Sequence, residues 1–158
     1  MRHTLENAAA MNGGNAVKRR DITLAVLAAS PSGTLGPVQM QKALFLVDKR
    51  IPKFVDGPLF NFRPYHYGPF DAEIYRVLEE LEAEGAVVID HDPNVRRNSY
   101  RITSDGLERG RSSLAALPAP ARGFIERVAT FIYNSSFSQL VSSIYREYPE
   151  MKENSVFA

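Results

Sequence analysis

The chain has 158 residues, a formal net charge of +1 at pH 7, 44% hydrophobic and 23% charged residues, and no cysteine. That length holds one ordinary domain with enough apolar surface for its own core, and leaves no room for two enzyme domains. The absence of cysteine excludes a disulfide framework, thiolate zinc sites, Fe–S ligation and a cysteine nucleophile.

Residues 1–19 are rich in Ala, Asn and Gly, carry no hydrophobic period and include the adjacent pair Gly13-Gly14, so they are expected as a flexible or weakly helical leader ahead of a single domain over 20–158. Ile22, Ala25, Val26 and Ala29 then form an apolar stripe, predicting a helix over 21–30 that Ser30-Pro31-Ser32-Gly33 stops. Gly36-Pro37 opens a second helix over 37–51, with Met40, Leu44, Val47 and Ile51 inward and Lys42, Asp48, Lys49 and Arg50 expected on its wet side. Residues 52–69 interleave Phe54, Phe60, Phe62, Tyr65 and Tyr67 with prolines and glycines. Such a segment cannot be a helix and is too aromatic for a solvated linker, so it must pack on the domain. Phe54, Phe60 and Phe62 are expected as a lid on the core, and Arg63, Tyr65 and His66 as interface residues.

Phe70, Ile74, Val77, Leu78 and Leu81 predict a third helix over 70–84, ended by Gly85. Alternation around an HDPN turn predicts a β-hairpin at 86–90 and 98–103. Three more helices are expected over 105–117, 121–133 and 137–147, the first capped within Thr103-Ser104-Asp105 and the last by a capping box from Ser136 to Gln139. Three helices followed by a hairpin is the order of a winged helix-turn-helix. The expected fold class is therefore α+β, a mainly helical winged helix-turn-helix with a two-stranded wing hairpin and extra C-terminal helices. Phe124, Ile125, Phe131, Ile132, Phe137, Leu140, Ile144 and Tyr145 give 121–147 an apolar surface. It either pairs two copies as a homodimer or packs back on helix one and the aromatic loop.

Residues 74–106, with Leu-Glu-x-x-Gly, a strand, an arginine-rich turn, and a strand ending in Thr, resemble the corresponding stretch of many bacterial winged helices. Lys42 within QKALFLVDKR, the aromatic loop, and Tyr67-Gly68-Pro69-Phe70 opening the next helix are similar to the Panacea (SocA-like) antitoxin domain and to YwgA-like small bacterial proteins. The YPEMKENSVF segment is similar to the tail of the latter group, so the likeness spans roughly residues 21–158. Ala43-Leu44-Phe45 departs from the more usual Leu-Leu-Tyr. The resemblance implies a prokaryotic, non-catalytic regulatory module of antitoxin or adaptor type, docking a toxin or a regulated protein.

The chain holds only His3, His66 and His91, and no nucleophile elbow, phosphate loop, dinucleotide fingerprint or metal-ligand spacing. No enzyme activity, catalytic residue, metal or cofactor is expected. No apolar run approaches the ~20 residues that cross a bilayer and the opening residues lack a signal-peptide core, so a cytoplasmic protein without membrane partners is expected. For a protein partner the candidate residues are Arg63, Tyr65, His66, Tyr67, Glu79 and Glu80. The alternative is a transcriptional regulator bound to double-stranded DNA through the wing residues Arg96, Arg97 and Arg101, with Lys18, Arg19 and Arg20 as a basic arm. Charge opposes it, because residues 71–84, where a recognition helix would lie, carry six acidic residues against Arg76 alone.

Overall fold

The structure is a computed structural model that describes residues 2–94 and 97–157, with side chains described from Asn15 onward. In chain order its elements are α1 (Arg2–Ala29), β1 (Thr34–Leu35), α2 (Pro37–Arg50), β2 (Arg63–Tyr65), β3 (Gly68–Phe70), α3 (Glu73–Ala83), β4 (Val87–Asp92), β5 (Arg97–Ile102), α4 (Ser104–Ala116), α5 (Ala119–Asn134) and α6 (Phe137–Glu147). Short 3-10 turns occupy Pro52–Phe54 and Pro149–Lys152. The protein is thus an α+β fold with small antiparallel sheets. Among the described residues no helix is long and apolar enough to cross a membrane.

α2 is the central element. Its expected stripe is buried, yet so are Gln41, Lys42, Phe45 and Asp48, leaving only Lys49 and Arg50 fully in water. The expectation of a wet face carrying Lys42 and Asp48 is therefore wrong. The reason is non-local: residues 55–70 fold back across that face, bringing Val55, Leu59 and Phe60 into the core and setting Phe62 edge-on to Phe45 at 5.4 Å. Phe60 serves as the expected lid and Phe62 is half-buried, but Phe54 lies 41% exposed.

α1 is continuous from Arg2 to Ala29, so the helix expected from Asp21 begins further upstream and takes in the segment expected as a flexible or weakly helical leader. Its turn Ile22–Leu27 is buried in full, and α4 crosses it closely where Gly110 meets the backbone of Leu24. β1, β5 and β4 form one sheet in that order, with Leu35 and Ile89 on either side of Tyr100. The β4–β5 hairpin runs further toward its tip than expected, by two residues on β4 and one on β5, so His91 belongs to β4, paired with Asn98, and not to the turn. Phe70 ends β3, and α3 starts at Glu73. The cap on α4 forms as the sequence indicates, with Gly106 N donating to Thr103 Oγ1 at 3.0 Å, and so does the Ser136–Gln139 capping box.

Helices α5 and α6 direct most of the apolar surface of 121–147 inward: Ile125, Ile132, Leu140, Ile144 and Tyr145 are buried and Phe124 is half-buried. Phe131, Tyr133 and Phe137 remain outside.

A candidate docking hairpin and the lysine beneath it

The loop after α2 is fixed by α2's own polar side chains. The Asp48 carboxylate accepts the backbone N–H groups of Leu59 and Phe60, both at 2.8 Å. From α1, Arg19 Nε donates to Leu59 O at 2.6 Å, and its guanidinium lies 5.1 Å from the Phe60 ring centroid. At the far end, Gln41 donates to Asp71 O and accepts from Asp71 N, each at 2.9 Å, while Asp71 Oδ2 takes the Asn61 N–H at 2.8 Å. Burial raises the Asp48 carboxyl above its ordinary range despite the two N–H donors and the nearby Arg19 charge. Replacing Asp48 by Asn turns one of its two acceptors into a donor facing a buried N–H. The expected loss is about 2 kcal/mol in urea unfolding, with hydrogen exchange at Leu59 and Phe60 accelerating first.

Between those two anchors β2 and β3 pair as Arg63 with Phe70, Pro64 with Pro69, and Tyr65 with Gly68. Gly68 adopts φ 102°, a backbone region that L side chains rarely enter. The tip is held from outside by the segment after α6: Val156 N donates to His66 O at 2.9 Å and Asn154 Nδ2 to Pro64 O at 3.2 Å. Tyr145 Oη and Ser155 Oγ, 2.6 Å apart, tie that segment to α6.

The hairpin presents an aromatic surface. Tyr65 stacks on His66 at 4.2 Å and leans on Phe70 at 5.0 Å, while Tyr67 meets Phe137 edge-on at 5.2 Å and Phe137 meets Phe157 at 5.9 Å. Tyr65, Tyr67 and Phe137 are 48%, 41% and 43% exposed, and Arg63 and His66 are exposed beside them.

Directly under this tip lies Lys42, 2% exposed. Its Nζ donates to Pro69 O at 3.2 Å, and no carboxylate among the described residues lies within ion-pair distance. Burial pulls its ammonium down to about 8. A Cβ on Gly68 would lie 3.5 Å from both Lys42 Cε and Nζ and 3.3 Å from the Tyr145 ring. A cavity of about 150 Å³ opens here, lined by Lys42, Gln41, Val38, the turn Tyr65–Gly68, Phe70 and Tyr75.

Of the residues read as a protein-docking set, the structure brings Arg63, Tyr65, His66 and Tyr67 together on one hairpin. Glu79 and Glu80 are on α3, where Glu80 pairs with Arg20 of α1 at 3.2 Å. Glu84 joins the same group, 3.5 Å from Arg20 and 3.0 Å from Arg109. Of the residues read as a DNA-binding set, Arg19 is spent on the aromatic loop, Arg20 on α3, and Arg101 on Asp90 at 3.1 Å. Arg97 is exposed, Lys18 is half-buried, and Arg96 lies outside the described residues. Among the described residues no group of three His, Asp or Glu could hold a metal ion.

Sequence reasoning missed Gln41, Lys42 and Asp48 as organising residues. A signal was present: Gln41, Phe45 and Asp48 repeat at i, i+4 and i+7, a second stripe whose polar members disguise it. No protein-family model matches the chain, and no curated protein matches its sequence.

Proposed function

We propose that the protein is a non-catalytic regulatory module of winged-helix type that docks a partner protein, as an antitoxin or adaptor does, through the β2–β3 hairpin. The observation that carries this reading is the set of exposed rings Tyr65 and Tyr67, beside exposed Arg63 and His66, on a hairpin anchored at both ends, with Phe137 of α6 edge-on to Tyr67. Tyr and Arg on a rigid support are the side chains that dominate protein interfaces, because they bury large areas while losing little conformational freedom. The resemblance to the Panacea domain in Lys42 and Tyr67-Gly68-Pro69 supports it. So do the helix order and the β1-β5-β4 sheet, which suit a winged helix. Regulation of this kind belongs in the cytoplasm of a prokaryote.

The DNA-binding alternative draws less support. α3, the helix that would enter the major groove, exposes Glu79, Glu80 and Glu82, with exposed Glu84 at its C-cap, and Arg20 and Arg101 already have carboxylate partners. The test is co-purification from the native host, reconstitution with the purified partner, and calorimetry of the Tyr65→Ser/Tyr67→Ser variant. Affinity should fall by about 100-fold, the usual cost of two truncated hot-spot aromatics. An unchanged affinity would overturn the reading. So would tight binding of a 20-bp duplex with a log–log salt slope of roughly −4 to −5.

A further inference from the structure

Lys42 presents an energetic problem that the docking hairpin leaves unsolved. An ammonium group has three donors, and here the described residues supply one acceptor, Pro69 O at 3.2 Å, and no counter-charge. Buried cations are ordinarily paired, since desolvating one without a partner costs several kcal/mol. A purely structural tie to the Pro69 carbonyl does not need a cation, because the Gln41 amide, one residue away, makes the same kind of bond to Asp71 O at 2.9 Å.

The space beside the amine supplies the remaining argument. Lys42 lines a cavity of about 150 Å³ whose other walls are Val38, Phe70, Tyr75 and the tip residues Tyr65–Gly68. That is half or less of the volume of a pocket for a drug-sized ligand, which starts at roughly 300 Å³, and it equals about five waters at ~30 Å³ each. It holds a small head group and no more. The rim is exposed Tyr65, His66 and Tyr67, so the cavity can be entered from solvent, while the floor is the buried amine. Gly68 lines the cavity beside the amine, where a Cβ would stand 3.5 Å from Nζ.

We infer that the cavity beneath the β2–β3 tip is a binding site for a single carboxylate group, carried on one or two carbons, with Lys42 as its counter-ion and the aromatic rim around its stem. The one cation matches a monoanion. A phosphate dianion would call for further positive charge, and none of the residues lining this cavity is an arginine or a second lysine. The carboxylate comes either from a small free acid or from an acidic side chain of a docked protein, and the chemistry at Lys42 is the same for both. The site goes beyond the docking reading and does not require it, because its test uses no partner.

The experiment is a titration of the full chain, labelled with ¹³C at lysine Cε, with sodium propionate, with neutral propionamide and with N-acetyl-glutamate N-methylamide. Propionate should shift the Lys42 signal saturably with a millimolar Kd and raise the amine's titration midpoint by about one unit or more, since an anion favours the charged amine. Propionamide should do neither, and Lys42→Met should abolish propionate binding while the thermal unfolding transition is retained. If the glutamate derivative binds about tenfold tighter than propionate, the carboxylate is a partner's side chain; if it binds equally or more weakly, a small free acid is the ligand. The inference is overturned if propionate gives no saturable shift up to about 100 mM, if the midpoint does not move, or if the Met variant binds as well as the parent.

Discussion

Lys42→Met should make the protein more stable at neutral pH, by about 2 kcal/mol, and this advantage should vanish in alkali. The unfolded chain keeps the lysine proton up to the ordinary 10.5, whereas the folded chain releases it from about 8. Between those values the unfolded state binds more protons, so the stability of the parent rises with pH across that window, by up to about 3 kcal/mol. Below the window the full cost of the buried charge is present. Methionine has a similar reach and no charge, so it removes that cost and forfeits one hydrogen bond to Pro69 O, worth about 1 kcal/mol in net terms. Urea unfolding of both proteins from pH 6.5 to 10 measures the difference, in which tyrosine titration common to both cancels. Parallel profiles would show that Lys42 is not desolvated in the folded state.

Gly106→Ala should be the most damaging small substitution in the chain, costing more than about 4 kcal/mol or preventing folding. In a free helix the change would help by about 1 kcal/mol, because alanine is the better helix former. Here the added Cβ would run into the carbonyl oxygen of Ala86, which is backbone and cannot rotate aside, and would press on the Ile102 side chain. Gly110→Ala fails for the same reason on the other side of α4, with the new Cβ 2.5 Å from Leu24 O and 2.7 Å from the Ala28 side chain. Steric exclusion exceeds helix propensity at both positions. Thermal unfolding is the measurement, and Gly123→Ala on α5, whose nearest neighbour is the flexible Arg127 guanidinium at 3.1 Å, is the control expected to change stability by less than about 1 kcal/mol.

Most of the helical framework and the β4–β5 hairpin could be read from residues because their signals are local. Thr103, Ser136 and Gln139 cap the helices they were expected to cap, and Pro37 and Gly85 punctuate where punctuation was expected. Lys42 and Asp48 defeated the same reasoning because their burial is decided by a segment that returns over α2 from as far as residue 70. A polar residue on a helix is wet only if nothing covers that face. The β2–β3 hairpin was hidden by Pro64 and Pro69, which face each other in its register and neither of which has an N–H to donate to a ladder. The upstream part of α1 was obscured by its lack of hydrophobic period and by Gly13-Gly14, although extending an existing helix escapes the nucleation cost that makes such residues decisive. Of the candidate site, Arg63, Tyr65, His66 and Tyr67 were legible from composition, but the amine beneath them was not.

The close crossing of α1 and α4 also governs how the protein reaches its fold. Leu24 and Gly110 touch although they lie 86 positions apart in the chain, so this contact cannot form until a segment spanning α2, the β2–β3 hairpin and the β4–β5 hairpin has closed into a loop. Closure of that length carries an entropic penalty that must be met before the contact gives anything back. Helix formation in α1 is therefore expected to be fast and unproductive by itself, and the slow step is its meeting with α4.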